Sequence, residues 1–117
     1  MVYSATSRAL AALEFFVNLD PKEAPDDLLI AEAAVPDELV ETLPLKDLPR
    51  NWRALDNQRC RELGSAWAAS GRSLALKVPS VVVDGDWNLL LNPKHPDFAK
   101  VKIGAAKPFR FDERMFR

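Results

Sequence analysis

The sequence predicts an α+β fold, a mixed or antiparallel sheet with a few helices, in one domain over residues 1–117. Three observations carry that prediction. Helical periodicity is confined to two stretches, one near the start and one in the middle. Short apolar or alternating runs, each closed by proline, glycine or asparagine, fill most of the remainder. Helices therefore do not alternate regularly with strands. None of Gly64, Gly71, Gly85 and Gly104 sits in a GxGxxG or phosphate-loop motif either. This is not the pattern of a doubly wound nucleotide-binding fold.

Val2-Tyr3 reads as the end of a strand. Ser4 or Thr6 can then cap a helix running to about Leu19, with Leu10, Leu13, Phe16 and Val17 on one face. Asp20-Pro21 closes it. Leu28 to Val35 alternates like a half-buried strand, and Leu39 to Leu43 makes a second, between Pro36 and Pro44. The spacing of Cys60, Leu63, Ala66 and Trp67 predicts a second helix from Asn57 to Ala69, stopped by Ser70-Gly71 through a glycine C-cap. Leu74, Leu76 and Val78 alternate as a strand, which Val81 to Val83 continues after Pro79-Ser80. Trp87 to Leu91, Val101 to Ile103 and Phe109 to Phe111 complete the set. Asn92-Pro93 stops the leucine run, since proline has no N–H for a ladder.

Composition narrows the function classes. Sixteen basic and 17 acidic side chains leave a net charge of −1, which gives no polycationic surface for nucleic acid. The single cysteine, Cys60, excludes an internal disulfide and suits a reducing cytoplasm. One histidine and one cysteine do not supply a tetrahedral zinc site without carboxylates, so no metal is expected. No apolar stretch approaches the ~20 residues of a membrane span, and the N-terminus lacks the basic and apolar regions of a signal peptide.

Several segments are informative in order: Val2-Tyr3-Ser4-Ala5-Thr6-Ser7, Ala11-Ala12-Leu13-Glu14, Gly64-Ser65-Ala66-Trp67, Ser70 to Val83, Leu89 to Phe98, and Pro108-Phe109-Arg110-Phe111-Asp112. Together they resemble the RES-domain family, toxins of bacterial toxin–antitoxin pairs named for an Arg, a Glu and a Ser. The resemblance covers nearly the whole chain. It implies an ADP-ribosyltransferase-like fold and depletion of NAD, by cleavage of the nicotinamide–ribose bond with water or phosphate. NAD is then a substrate and no cofactor is needed. The implied partner is a DNA-binding helix-turn-helix antitoxin that blocks the site, while the chain itself is expected to contact neither nucleic acid nor membrane.

Carried over by motif, the family's glutamate falls on Glu14, its serine on Ser80 in Val-Pro-Ser, and its strand-end tyrosine on Tyr3. The family's arginine belongs to a Gly-Arg-Trp-Asn element upstream of the Val-Tyr-Ser segment, whereas this chain begins at Met1-Val2-Tyr3. The expectation is therefore an N-terminally incomplete domain. The alternative is a catalytically inactive remnant that keeps an antitoxin-binding or structural role.

Residue chemistry gives each candidate two readings. Glu14 is either a solvated helical carboxylate or an anion that stabilises positive charge on a ribose as nicotinamide leaves, a transition state like that of glycoside cleavage. Ser80 either satisfies a backbone group at a bulge or presents its hydroxyl to the ribose or phosphate from the sheet rim. Tyr3 is a strand-end aromatic or a ring that stacks on a base. His95 and Asn92 read as turn residues, and Trp52, Trp67 and Trp87 as core.

Overall fold

The computed structural model describes residues 1–54 and 57–116. A four-stranded sheet carries the site. It is built from β1 (Val2–Ala5), β4 (Val40–Thr42), β5 (Ala75–Pro79) and β6 (Trp87–Leu91), in the order β1-β6-β5-β4. β6 runs antiparallel to both neighbours and β4 parallel to β5, so the sheet is mixed. The other strands form two antiparallel pairs, β2 (Leu29–Ile30) with β8 (Lys107–Pro108) and β3 (Ala33–Ala34) with β7 (Lys102–Ile103). The helices are α1 (Arg8–Phe16) and α2 (Gln58–Ser70). The fold class is α+β, as the sequence predicts.

The core lies where α2 meets the sheet. Leu76 and Leu90 face each other across β5 and β6, and Trp67 of α2 packs on both. Each such apolar side chain contributes roughly 1.5–3 kcal/mol on burial. A Cβ at Gly64 would meet Met1 at 3.6 Å and Leu90 at 3.8 Å, ordinary van der Waals contact, so the packing there does not depend on a glycine. The Trp67 indole N–H donates to Ser73 Oγ at 2.7 Å, so its polar edge is satisfied. Asn57 caps α2 by accepting from Cys60 N, and Gly71 ends it at φ +63°, the left-handed C-cap that the Ser70-Gly71 pair predicts.

The sequence and structure differ in places that have local causes. Ser7 caps α1, accepting from Leu10 N at 3.1 Å. Ser4 and Thr6 are already committed, because their hydroxyls donate to the β6 carbonyls of Leu89 and Trp87. α1 ends at Phe16, and of its expected inward face only Leu10 is buried. Phe16 instead joins Phe111 and Phe116 at ring separations of 5.6 and 5.7 Å. The expected strand over Leu28 to Val35 is split between two partners, with Glu32 O accepting from Gly104 N at the break. Val81 to Val83 do not extend β5, because Ser80 N bonds to Asp86 O at 2.8 Å and turns the chain. Phe109 to Phe111 is not a strand, since pairing ends at Pro108 and the two rings stack edge-on at 5.1 Å. On α2, Ala66 is exposed rather than inward.

The leucine block forms β6 over the expected range, and Asn92 then organises the loop. Its Oδ1 accepts from Lys94 N and its Nδ2 donates to Ala68 O. His95 Nδ1 accepts from Asp97 N at 3.0 Å. Both residues thus serve the turn. Among the described residues, no helix is long and apolar enough to cross a membrane.

Candidate active site

Strand register assembles the site. Tyr3 lies opposite Leu90 and Ala5 opposite Asn88 on the β1–β6 pair, so the pleat sets Tyr3 and Asn88 as diagonal neighbours on one face. Val78 of β5 lies opposite Asn88 from the other side, and Ser80 follows two residues later, where β5 has just ended. Glu14, on the last turns of α1, reaches this point from outside the sheet. Its Oε1 accepts from Ser80 Oγ and from Asn88 Nδ2, both at 2.8 Å. Asn88 Nδ2 also donates to Tyr3 Oη at 2.6 Å. Four side chains from three strands or strand ends and one helix thus form a single network.

The donor inventory fixes how the network is wired. The Ser80 hydroxyl accepts from Val82 N at 3.1 Å and Val83 N at 3.0 Å, which fills its acceptor sites and leaves one proton, directed to Glu14. Ser80 is 1% exposed and Asn88 0%, so both support the carboxylate from beneath. The Tyr3 ring is 57% exposed, yet its hydroxyl end is held against Asn88. Burial of that end, with the nearby Glu14 carboxylate adding to it, pushes the phenol up to about 12, so it keeps its proton at neutral pH.

Above the network opens a cleft of about 540 Å³, lined by Tyr3, Ser4, Ala5, Ala11, Glu14 and Phe15 and extending to Asn18 and Leu19. On the other side of Tyr3 is an apolar hollow of about 300 Å³ between the sheet and α2, walled by Leu43, Trp52, Leu63, Val78 and Pro79 among others. A half-buried carboxylate at the floor of an open cleft, held by two neutral donors, can stabilise developing positive charge or orient a nucleophile. Among the described residues, no group of three or more His, Cys, Asp or Glu side chains is placed to hold a metal ion.

The RES domain profile matches residues 1–112. The chain belongs to the RES-domain family. The RES chain is 40% identical to the Prs ADP-ribosylating toxin of Sphingobium sp., over 100% of its own length and 75% of the relative. It is 36% identical to a Toxin Res of Photorhabdus laumondii, covering 99% of itself and 76% of that protein. A Toxin Res of Pseudomonas putida matches at 34% identity over 99% of the chain and 79% of the relative.

The structure brings Glu14, Ser80 and Tyr3 into one network, although they lie far apart in sequence. Ser80 lies just past the end of β5. Its hydroxyl is buried, directed to Glu14 and closed over by its own turn. Asn88 is the member that the sequence reading missed. The available signal was an amide inside the apolar run Trp87–Leu91, since a polar side chain in a buried strand requires partners. Arg72 lies elsewhere, with Nε donating to both Glu41 oxygens at 2.9 and 3.0 Å. Trp67 is core as expected, whereas Trp52 and Trp87 are half-buried beneath the cations of Arg53 and Lys77.

Proposed function

We propose that this RES domain acts as a toxin by binding NAD in the cleft over Tyr3 and Glu14 and breaking its nicotinamide–ribose bond. The bond between ribose C1′ and the pyridinium nitrogen breaks heterolytically, and nicotinamide leaves with the electron pair. Positive charge then develops on the ribose ring, and the Glu14 carboxylate stabilises it. Water or phosphate adds to C1′; with water, the products are ADP-ribose, nicotinamide and a proton. Tyr3, protonated at neutral pH, donates a hydrogen bond or stacks on the leaving ring. Ser80 acts through Glu14.

The single observation carrying this reading is the Glu14 carboxylate, which receives two buried donors while lining the cleft. A solvated helical glutamate has no need of such partners. The name of the Sphingobium relative adds support, because ADP-ribosylation breaks the same bond and differs only in the acceptor. The proposal includes a helix-turn-helix antitoxin that closes the cleft by covering Tyr3 and Phe15, both exposed at its rim. It also places the substrate pool in the cytoplasm.

The test incubates the purified chain with NAD and follows nicotinamide by chromatography, with and without phosphate. Release by wild type and loss on the order of 10³-fold in Glu14→Gln are expected, since the substitution keeps the shape and removes the charge. With phosphate present, the sugar product distinguishes free ADP-ribose from its 1″-phosphate. No release by wild type, or equal release by both proteins, overturns the enzymatic reading. The first of those outcomes with retained antitoxin binding is the signature of the inactive remnant.

A further inference from the structure

We propose that Asn88 is the positioning residue of this site: one amide proton fixes the Glu14 carboxylate and the other fixes the Tyr3 hydroxyl. The inference rests on the function proposed above and deepens it. Asn88 Nδ2 has two protons and two acceptors, Glu14 Oε1 at 2.8 Å and Tyr3 Oη at 2.6 Å. The amide cannot be reversed, because a carboxylate only accepts and a flipped Oδ1 would face Glu14 Oε1. The orientation has a cost. Asn88 Oδ1 is buried with no hydrogen-bond partner among the described residues. A buried carbonyl left unpaired is unfavourable, and an asparagine that only filled space between Trp87 and Leu89 could be replaced by an apolar residue without that penalty. The cost has a rationale if both N–H groups are required where they are.

Two consequences follow for the ligand. With Ser80 and Asn88 both on Oε1, the other Glu14 oxygen takes no part in this network, and the carboxylate lines the cleft with its plane held by two bonds. Because Tyr3 Oη accepts from Asn88, the phenol proton points elsewhere and is available as a donor to whatever fills the cleft. Asn88 thereby preorganises an anion and a donor before the ligand arrives.

The test compares Asn88→Leu and Asn88→Asp. For Asn88→Leu, kcat for NAD cleavage should fall about 10²-fold at every pH, with a smaller change in KM, as misplacement of a reacting group does. Asn88→Asp should be equally poor at neutral pH and recover on mild acidification. The introduced carboxyl lies against Glu14, so repulsion raises the affinity of the pair for one proton, and a protonated carboxyl can donate to Oε1 as the amide did. A role confined to packing predicts no such recovery in kcat per folded molecule, the folded fraction being read by circular dichroism at each pH because protonating a buried carboxyl can itself restore folding. Wild-type kcat in both variants, or an Asn88→Asp profile without an acid recovery, overturns the proposal. A second readout needs no NAD cleavage. In ¹⁵N NMR spectra the resonance pair lost in Asn88→Leu should respond to Glu14→Gln in one proton and to Tyr3→Phe in the other. If wild type leaves NAD intact, the enzymatic reading fails, while this spectrum alone still decides Asn88; a pair that responds to neither variant overturns its role.

Discussion

Ser80 Oγ donates to Glu14 Oε1 at 2.8 Å, joining positions 66 residues apart through a serine that is 1% exposed. The hydroxyl is also the acceptor for Val82 N and Val83 N. Ser80→Ala should therefore orphan two backbone N–H groups and remove one of the two donors on the carboxylate. Each buried group left unpaired costs about 1–3 kcal/mol. The expected outcome is a melting temperature lower by several degrees together with a reduced rate of the proposed NAD cleavage. An unchanged melt would show that the 80–83 turn does not depend on the hydroxyl.

The only tyrosine in the chain makes its titration directly readable. Burial of the hydroxyl end, and then the Glu14 charge, raise Tyr3 from 10.0 to about 12. Tyrosinate absorbance should thus rise near pH 12 in the folded protein and near pH 10 in denaturant. Glu14→Gln should lower the folded value part of the way, because the larger cause, burial, remains. The folded pKa exceeds the unfolded one, so this contribution to stability is complete below pH 10 and lost between pH 10 and about 12. The loss should be small, since the ring is 57% exposed and solvent screens the interaction. A folded-state titration near pH 10 would place the hydroxyl in water, away from Glu14.

How far the sequence reveals this molecule depends on the range of the interactions concerned. β6, α2 and its glycine cap follow from local pattern, because apolar spacing and a left-handed terminus are written in consecutive residues. The fate of Leu28 to Val35 does not. Its alternation fits a strand, but which strands it meets is decided by Lys102–Ile103 and Lys107–Pro108, far along the chain. Likewise the Ser7 cap follows only once β6 has occupied the hydroxyls of Ser4 and Thr6. At the site, Glu14, Ser80 and Tyr3 come from family motifs and not from periodicity. Asn88 has a local signal, an amide among leucines, but its partners lie 74 and 85 residues away.

Gly71 adopts φ +63°, and a Cβ built there meets nothing within 4 Å. Any penalty for Gly71→Ala is therefore backbone strain and not a clash. About 1 kcal/mol is expected, with Gly71→Asn recovering part of it, since asparagine tolerates the left-handed region better. Urea denaturation of the two variants checks the order; equal stability of alanine and glycine would mean that α2 ends in another way in solution.

Burial pushes the Cys60 thiol up, and its Sγ lies 3.8 Å from the Trp52 carbonyl oxygen beside the apolar hollow. A raised pKa leaves less thiolate at pH 8, and thiolate is the reactive form. As the only cysteine, Cys60 can be followed with a chromogenic disulfide reagent. Slow labelling of the native protein and fast labelling in urea are expected; equal rates would place the thiol in solvent.

Trp67 connects the core to the polar end of α2. Its ring packs on Leu76 and Leu90, while its N–H donates to Ser73 Oγ, which itself donates to Glu41 Oε2 at 3.2 Å, the carboxylate that also takes Arg72. Trp67→Phe removes the N–H and part of the ring, so it loses packing and leaves Ser73 without its donor. Truncation to Ala costs about 3–5 kcal/mol at such sites, and Phe should fall at a fraction of that. Ser73→Ala separates the two losses. If the hydrogen bond matters, the double variant should be less destabilised than the sum of the singles, because each single already removes the same bond. Strict additivity in urea unfolding would assign the whole effect to packing. Either result leaves Glu14 and Asn88 untouched, so the proposed NAD cleavage, per folded molecule, should stay constant across all three variants.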